Sequence, residues 1–164
     1  MKDKVKEYSI IFSDESVIAI LAGRKTQTRR VVTAWNENVF KCPYGDPGDR
    51  LWVREEWAMV DDKVIYRADS GADASQRDWR PALTRAASRL TLEVTRVRVE
   101  RLQEITLEDI NLEGTPDTLD PRLRPFGTRR EQYQRFWDSL NAKRGYAWDK
   151  NPWVWVVEFK VVPK

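Results

Sequence analysis

Histidine is absent from the chain and cysteine occurs once, at Cys42. These two shortages exclude the Ser-His-Asp and Cys-His catalytic arrangements, zinc sites built from Cys and His, and any internal disulfide. Chemistry here has to draw on Lys, Thr, Ser, Asp, Glu, Tyr or backbone groups, and a carboxylate-bound Mg²⁺ remains open. A long apolar run is also missing. The charge-alternating start, Met1 to Glu7, leads into none, so neither a signal peptide nor a membrane span is expected. The expectation is a soluble protein of the reducing cytoplasm. A strong excess of one charge is lacking too: 29 Lys and Arg against 26 Asp and Glu leave +3.

What is present fits one domain spanning 1–164, long enough to bury about two thirds of its extended surface. Arginines crowd the stretches 77–101 and 122–135. Such clusters attract polyanions, but arginines interspersed with acids also make an ordinary solvated face. The eight tryptophans (Trp35, Trp52, Trp57, Trp79, Trp137, Trp148, Trp153 and Trp155) are mainly core anchors, with one or two available to stack on a base. Cys42, with no histidine partner, reads as a packed or turn residue rather than a reactive thiol.

The local patterns mix α and β. Ser13 can cap a helix with an acidic first turn, an apolar face of Val17, Ile18 and Leu21, and Gly23 as terminator. Residues 42–49 carry the prolines and glycines of a tight turn and feed a strand at 50–55, with another strand at 63–68. Residues 69–84 read as a loop. A longer strand runs from 88 to 102, and its apolar phase slips between Val94 and Val97, which calls for a bulge near Thr95. Capping boxes at Thr106 and Thr128 open two helices, the second placing Tyr133, Phe136, Trp137 and Leu140 on one face. A proline-rich loop covers 115–127. The last strand, 153–159, has no clean alternation, as expected of a strand buried on both sides or at a barrel seam.

The densest chemical signal is 23–30, Gly-Arg-Lys-Thr-Gln-Thr-Arg-Arg. The capped helix delivers Lys25 at its C-terminal end. In the extended segment that follows, Thr26, Thr28 and Arg30 share one face while Gln27 and Arg29 point the other way.

This run, followed by Gly48 to Val53, the segment Ile105 to Gly114 and a Trp/Val-rich terminal strand, resembles the ASCH domain family over nearly the whole length. Cys42 to Gly45, Trp52 to Glu55 and Asn151 to Trp153 resemble its larger, phage- and prophage-associated branch. The resemblance implies an α+β, PUA-like fold: a small twisted β-barrel with packed helices and a cleft for RNA or nucleotide ligands. Some small family members are amidohydrolases that remove the acyl group from N4-acetylcytidine. By motif, their lysine, threonine and glutamate correspond to Lys25, Thr28 and Glu113. Other members are described as RNA-binding or ribonucleolytic, so fold alone does not select a reaction. The chain is longer than the small hydrolases, with extra residues around 31–47, 69–84 and 115–127.

Amide hydrolysis needs a nucleophile, a proton acceptor and stabilisation of an oxyanion. Thr28 is the available nucleophile. Lys25 acts as base only when neutral, which for a lysine titrating near about 10.4 costs about 4 kcal/mol at neutral pH. Burial and the cations Arg24, Arg29 and Arg30 push that way, and a carboxylate beside it pushes back. Two schemes follow: Lys25 as base with Glu113 orienting it, which we prefer, or Glu113 as base with Lys25 stabilising the oxyanion. Arg30, Trp52 and Tyr66 are the candidate substrate-binding residues, and Trp57 is a further candidate for stacking. No cofactor and no metal is required. The expected partner is a small nucleoside, with RNA as the alternative, and the expected state is a monomer or weak homo-oligomer.

Overall fold

The computed structural model describes residues 4–33, 41–70, 78–80, 84–115 and 127–163. Expectations for Trp35 and for most of the two loops at 69–84 and 115–127 lie outside these residues. Five strands form the main sheet: β1 (Glu7–Ile11), β2 (Gln27–Val31), β3 (Arg50–Arg54), β6 (Thr91–Arg101) and β7 (Trp153–Val162), in the order β1-β3-β6-β7-β2. β1 and β3 are parallel, and the remaining pairs are antiparallel. A separate hairpin joins β4 (Trp57–Val60) to β5 (Lys63–Tyr66). Its two turn residues, Asp61 and Asp62, both have positive φ, as a two-residue turn between twisted strands requires.

The α+β expectation holds, but the sheet is open: its edge strands β1 and β2 are not paired with each other. The phase slip in β6 is a register shift between Val94 and Arg96 that leaves Thr95 out of the pairing. The terminal strand lacks alternation because β7 is central, flanked by β6 and β2, and is buried on both faces. Trp155, Val157 and Phe159 join one core, with Leu51, Leu92 and Ile20. Val154 and Val156 join the other, with Ile110, Tyr133 and Trp137. Cys42 is buried in the first core.

Among the described residues, four α-helices pack around this sheet. Ser13 caps α1 (Asp14–Leu21) by accepting from the Ser16 N–H, as its sequence implies. Its buried face is corrected: Val17, Ala19 and Ile20 pack inward, whereas Ile18 and Leu21 are exposed, because the face turned to the sheet lies one residue from the one expected. The strand expected over 63–68 stops at Tyr66, and the last two residues begin α2 (Arg67–Ser70). Both capping boxes form, at the starts of α3 (Leu107–Leu112) and α4 (Arg129–Asn141). Leu140 of α4 is exposed, so only Tyr133 and Trp137 are buried among its four expected core residues, with Phe136 packed at the edge. Among the described residues, no helix is long and apolar enough to cross a membrane.

Candidate active site

Four backbone hydrogen bonds fix the start of β2. After α1 the chain reverses at Gly23 (φ 75°), and the N–H groups of Arg24 and Lys25 both donate to the Ala19 carbonyl, at 2.9 and 3.1 Å. Thr26 then donates to the Leu112 carbonyl at 2.8 Å and accepts from the Phe159 N–H at 2.9 Å. The chain is thereby pinned between the end of α3 and the central strand β7, and Lys25 forms an isolated antiparallel bridge with Glu113. Glu113 is the C-cap of α3, and Gly114 follows with φ 73°. A Cβ on Gly114 would lie 2.7 Å from the Lys25 Cβ, so glycine is what lets the two segments close.

The side chains repeat that contact. Lys25 Nζ donates to Glu113 Oε2 at 3.0 Å and to its carbonyl at 2.9 Å, and each residue is about 5 % exposed or less. The other carboxylate oxygen, Oε1, accepts from Arg29 at 3.1 Å. Tyr133 also hydrogen-bonds Glu113, and burial together with that carboxylate keeps its phenol protonated. With a cation on each oxygen, Glu113 is an orienting group before it is a proton acceptor.

Burial pulls the Lys25 ammonium below its ordinary pKa of 10.5; Glu113 opposes this, and the guanidinium groups of Arg30 and Arg29 reinforce it. Thr28 is buried on the same strand, opposite Val157 of β7. Lys25, Thr28, Arg30 and Glu113 all line one cavity of about 650 Å³. The arrangement provides a hydroxyl, an amine with depressed basicity and a fixed carboxylate on one wall, the set that metal-free acyl transfer uses.

Of the residues singled out in the sequence, the fold brings these four together. Trp52 and Tyr66 are not in the cavity wall. Trp52 lies on β3 between Ser9 and Thr91, and the Tyr66 hydroxyl donates to the Ala87 carbonyl while its ring carries the Arg89 guanidinium at 4.0 Å. Tyr66 thereby joins β5 to residues 87–89. Trp57 is likewise outside the cavity wall, with Arg80 over its ring at 5.4 Å. The aromatic wall comes instead from Phe12, Tyr44, Tyr133, Phe136, Trp137 and Trp155. Periodicity marks several of these as core, and nothing in a periodic pattern distinguishes a core ring from one whose edge faces a cavity.

Arg29 is the main residue that sequence reasoning undervalued, as one neighbouring cation among several. Its side chain has no exposed surface and bonds Gln27 at 2.7 Å, Glu100 at 2.6 Å and Glu113, with Asp109 at 3.3 Å. Burial opposes its charge, and the Glu113 and Glu100 carboxylates overcome that cost. Arg98 extends the network to Glu100, Asp109 and Glu158. The signal in the sequence was the alternation itself, which sends Arg29 to the face opposite Thr28, toward α3.

No protein-family model and no curated protein matches the sequence. Solved structures do. A protein from Enterococcus faecalis of the DUF984 family superposes with a TM-score of 0.52 at 15 % identity, covering 98 % of this chain and 82 % of its own. An ASCH domain from Lactobacillus crispatus gives 0.52 at 13 % identity, covering 95 % and 79 %. At such identities the likeness is one of fold, and the chain has the α+β architecture of an ASCH domain, with its sheet open.

Proposed function

We propose that this protein is an ASCH-type amidohydrolase that removes the acyl group from N4-acylated cytidine or cytosine. The observation that carries the proposal is the convergence of Lys25, Thr28 and Glu113 on one cavity, with the lysine and glutamate 88 residues apart in sequence and 3.0 Å apart in space. Neutral Lys25 takes the proton of the Thr28 hydroxyl as its oxygen attacks the amide carbon. The resulting ammonium returns that proton to the departing N4 amine, leaving an acyl ester on Thr28. Water then hydrolyses the ester, with Lys25 again as base, releasing the carboxylic acid. Glu113 holds Lys25 on line, and Arg29 holds Glu113. The Lys25 ammonium formed in the attack is the cation beside the developing oxyanion.

The opposite assignment, with Glu113 as base, is less well supported because Lys25 and Arg29 already occupy its two oxygens. The same occupancy leaves little attraction for a divalent cation. EDTA is therefore expected to leave turnover unchanged, and restoration of chelated enzyme by Mg²⁺ or Mn²⁺ would replace this mechanism with a metal-assisted one.

An ultraviolet assay of N4-acetylcytidine conversion to cytidine tests the proposal. Turnover by the wild type and none by folded Thr28→Ala is the expected result. Absence of wild-type turnover across N4-acyl cytidines and cytosines rejects the reading, and substantial turnover by Thr28→Ala rejects threonine as nucleophile.

A further inference from the structure

The charges around the cavity do not balance. Its wall holds five cations, Lys25, Arg29, Arg30, Lys41 and Arg144, and one carboxylate, Glu113. Lys25 and Arg29 share that carboxylate, and Arg29 has Glu100 and Asp109 besides. The other three make no ion pair among the described residues. Arg30 donates to the Ile11 carbonyl at 2.7 Å and lies against two rings, 5.1 Å from Phe12 and 5.9 Å from Tyr44. Arg144 donates to the Asn141 amide oxygen at 3.2 Å and lies over Tyr146. Lys41 and Arg144 are exposed, so they stand at the mouth, with Arg30 half-buried beneath.

Some arginines elsewhere on the surface are tied to carboxylates: Arg67, Arg85, Arg89 and Arg98 each pair with one or more. The Arg30 guanidinium is held below its usual pKa by burial first; Tyr44 and Glu113 oppose the shift, and Arg144 adds to it.

Resting on the amidohydrolase reading, we infer that Arg30, Lys41 and Arg144 form a subsite for a phosphate monoester, so that the preferred substrate is an N4-acylated cytidine nucleotide rather than the free nucleoside. Guanidinium and ammonium groups lining one cavity suit a doubly charged phosphate through charge-assisted hydrogen bonds. A cavity of about 650 Å³ has room for more than an acylated base. One cationic cluster at one cavity mouth fits a single terminal phosphate better than a track of phosphodiesters.

The test separates this inference from the hydrolase reading by measuring binding without catalysis. Calorimetric titration of the full chain with cytidine 5′-monophosphate and with cytidine, at about 50 and 200 mM salt, should show the phosphate improving affinity at least tenfold. The advantage should shrink at the higher salt, because the mouth is solvent-exposed. It should fall to about one in the Lys41→Gln/Arg144→Gln variant, whose exposed positions make loss of folding an unlikely cause, checked by its thermal melt. In turnover, the nucleotide should exceed the nucleoside in kcat/KM, chiefly through KM. Equal binding of nucleotide and nucleoside, or an advantage that survives the double substitution, overturns the subsite even if N4-acetylcytidine is hydrolysed. A cytidine-containing oligonucleotide that displaces the mononucleotide at equal concentration overturns the monoester assignment in favour of RNA.

Discussion

Lys25 shows how a single side chain is converted from a surface cation into a candidate base. Its Nζ keeps two hydrogen bonds to Glu113, yet burial outweighs that support and lowers its pKa below 10.5. The acid limb of kcat/KM should therefore report a group titrating below free lysine, with activity rising as pH rises through it. Lys25→Arg, which stays protonated, should lose the activity and the limb together. The linkage has a definite sign: between the folded pKa and 10.5 the unfolded chain holds more protons at Lys25, so stability should rise with pH across that window. In Lys25→Met the rise should be absent from urea unfolding curves measured along the same pH series. Arg29 makes a second prediction at this scale. Replacing it with Met strips the cation from three carboxylates, and the loss should be about 3–5 kcal/mol, read as a lower urea midpoint.

Among the elements, the junction of α3 with the start of β2 governs the site. The Thr106 capping box begins α3 and its end is set by Glu113 and Gly114, so the helix serves as a short ruler that presents one carboxylate. Gly114 combines a left-handed φ of 73° with close approach to Lys25 and to Ala19, whose Cβ would be 2.9 Å from an added methyl group. Gly114→Ala should therefore cost about 1–3 kcal/mol and reduce deacylation well beyond what the stability loss explains, since Lys25 moves first. A melt of folded variant with unchanged turnover would show that the junction tolerates displacement. Gly23 has a similar φ but nothing within 4 Å of its Cβ position, so Gly23→Ala should reduce stability by strain with a smaller effect on rate.

At the scale of the whole molecule, three of the arginines that suggested a polyanion surface, Arg85, Arg89 and Arg98, are cross-links to carboxylates. Arg98 reaches Glu158 at 2.7 Å and both Glu100 and Asp109 at 3.3 Å, and Arg89 grips the buried Glu55 at 2.8 and 3.0 Å. Arg98→Ala should lower stability by about 1–3 kcal/mol while leaving the affinity for labelled single-stranded RNA unchanged. A steep salt dependence of that RNA affinity, weakened by Arg98→Ala, would restore the RNA-binding reading. Turnover of an uncharged nucleoside should depend little on ionic strength under the same conditions.

Local chemistry was enough to reveal the helix caps at Ser13, Thr106 and Thr128, the bulge at Thr95 and the burial of β7, because each is written in a few neighbouring residues. The segment 23–30 likewise announced Lys25, Thr28 and Arg30. Tertiary structure decided the rest. Which face of α1 is buried, and therefore that Ile18 is outside, depends on the angle at which the helix meets the sheet. Whether Trp52 and Tyr66 reach the cavity depends on where β3 and β5 lie relative to it, and large aromatic residues carry the same hydrophobic signal in a core and in a pocket wall. The role of Arg29 needed Glu100, Asp109 and Glu113 brought from three separate places in the chain, a coincidence in space that no sequence window contains. Sequence set the chemical groups on offer, whereas packing selected which of them share a cavity, because burial and the nearness of other charges exist only once distant segments have met.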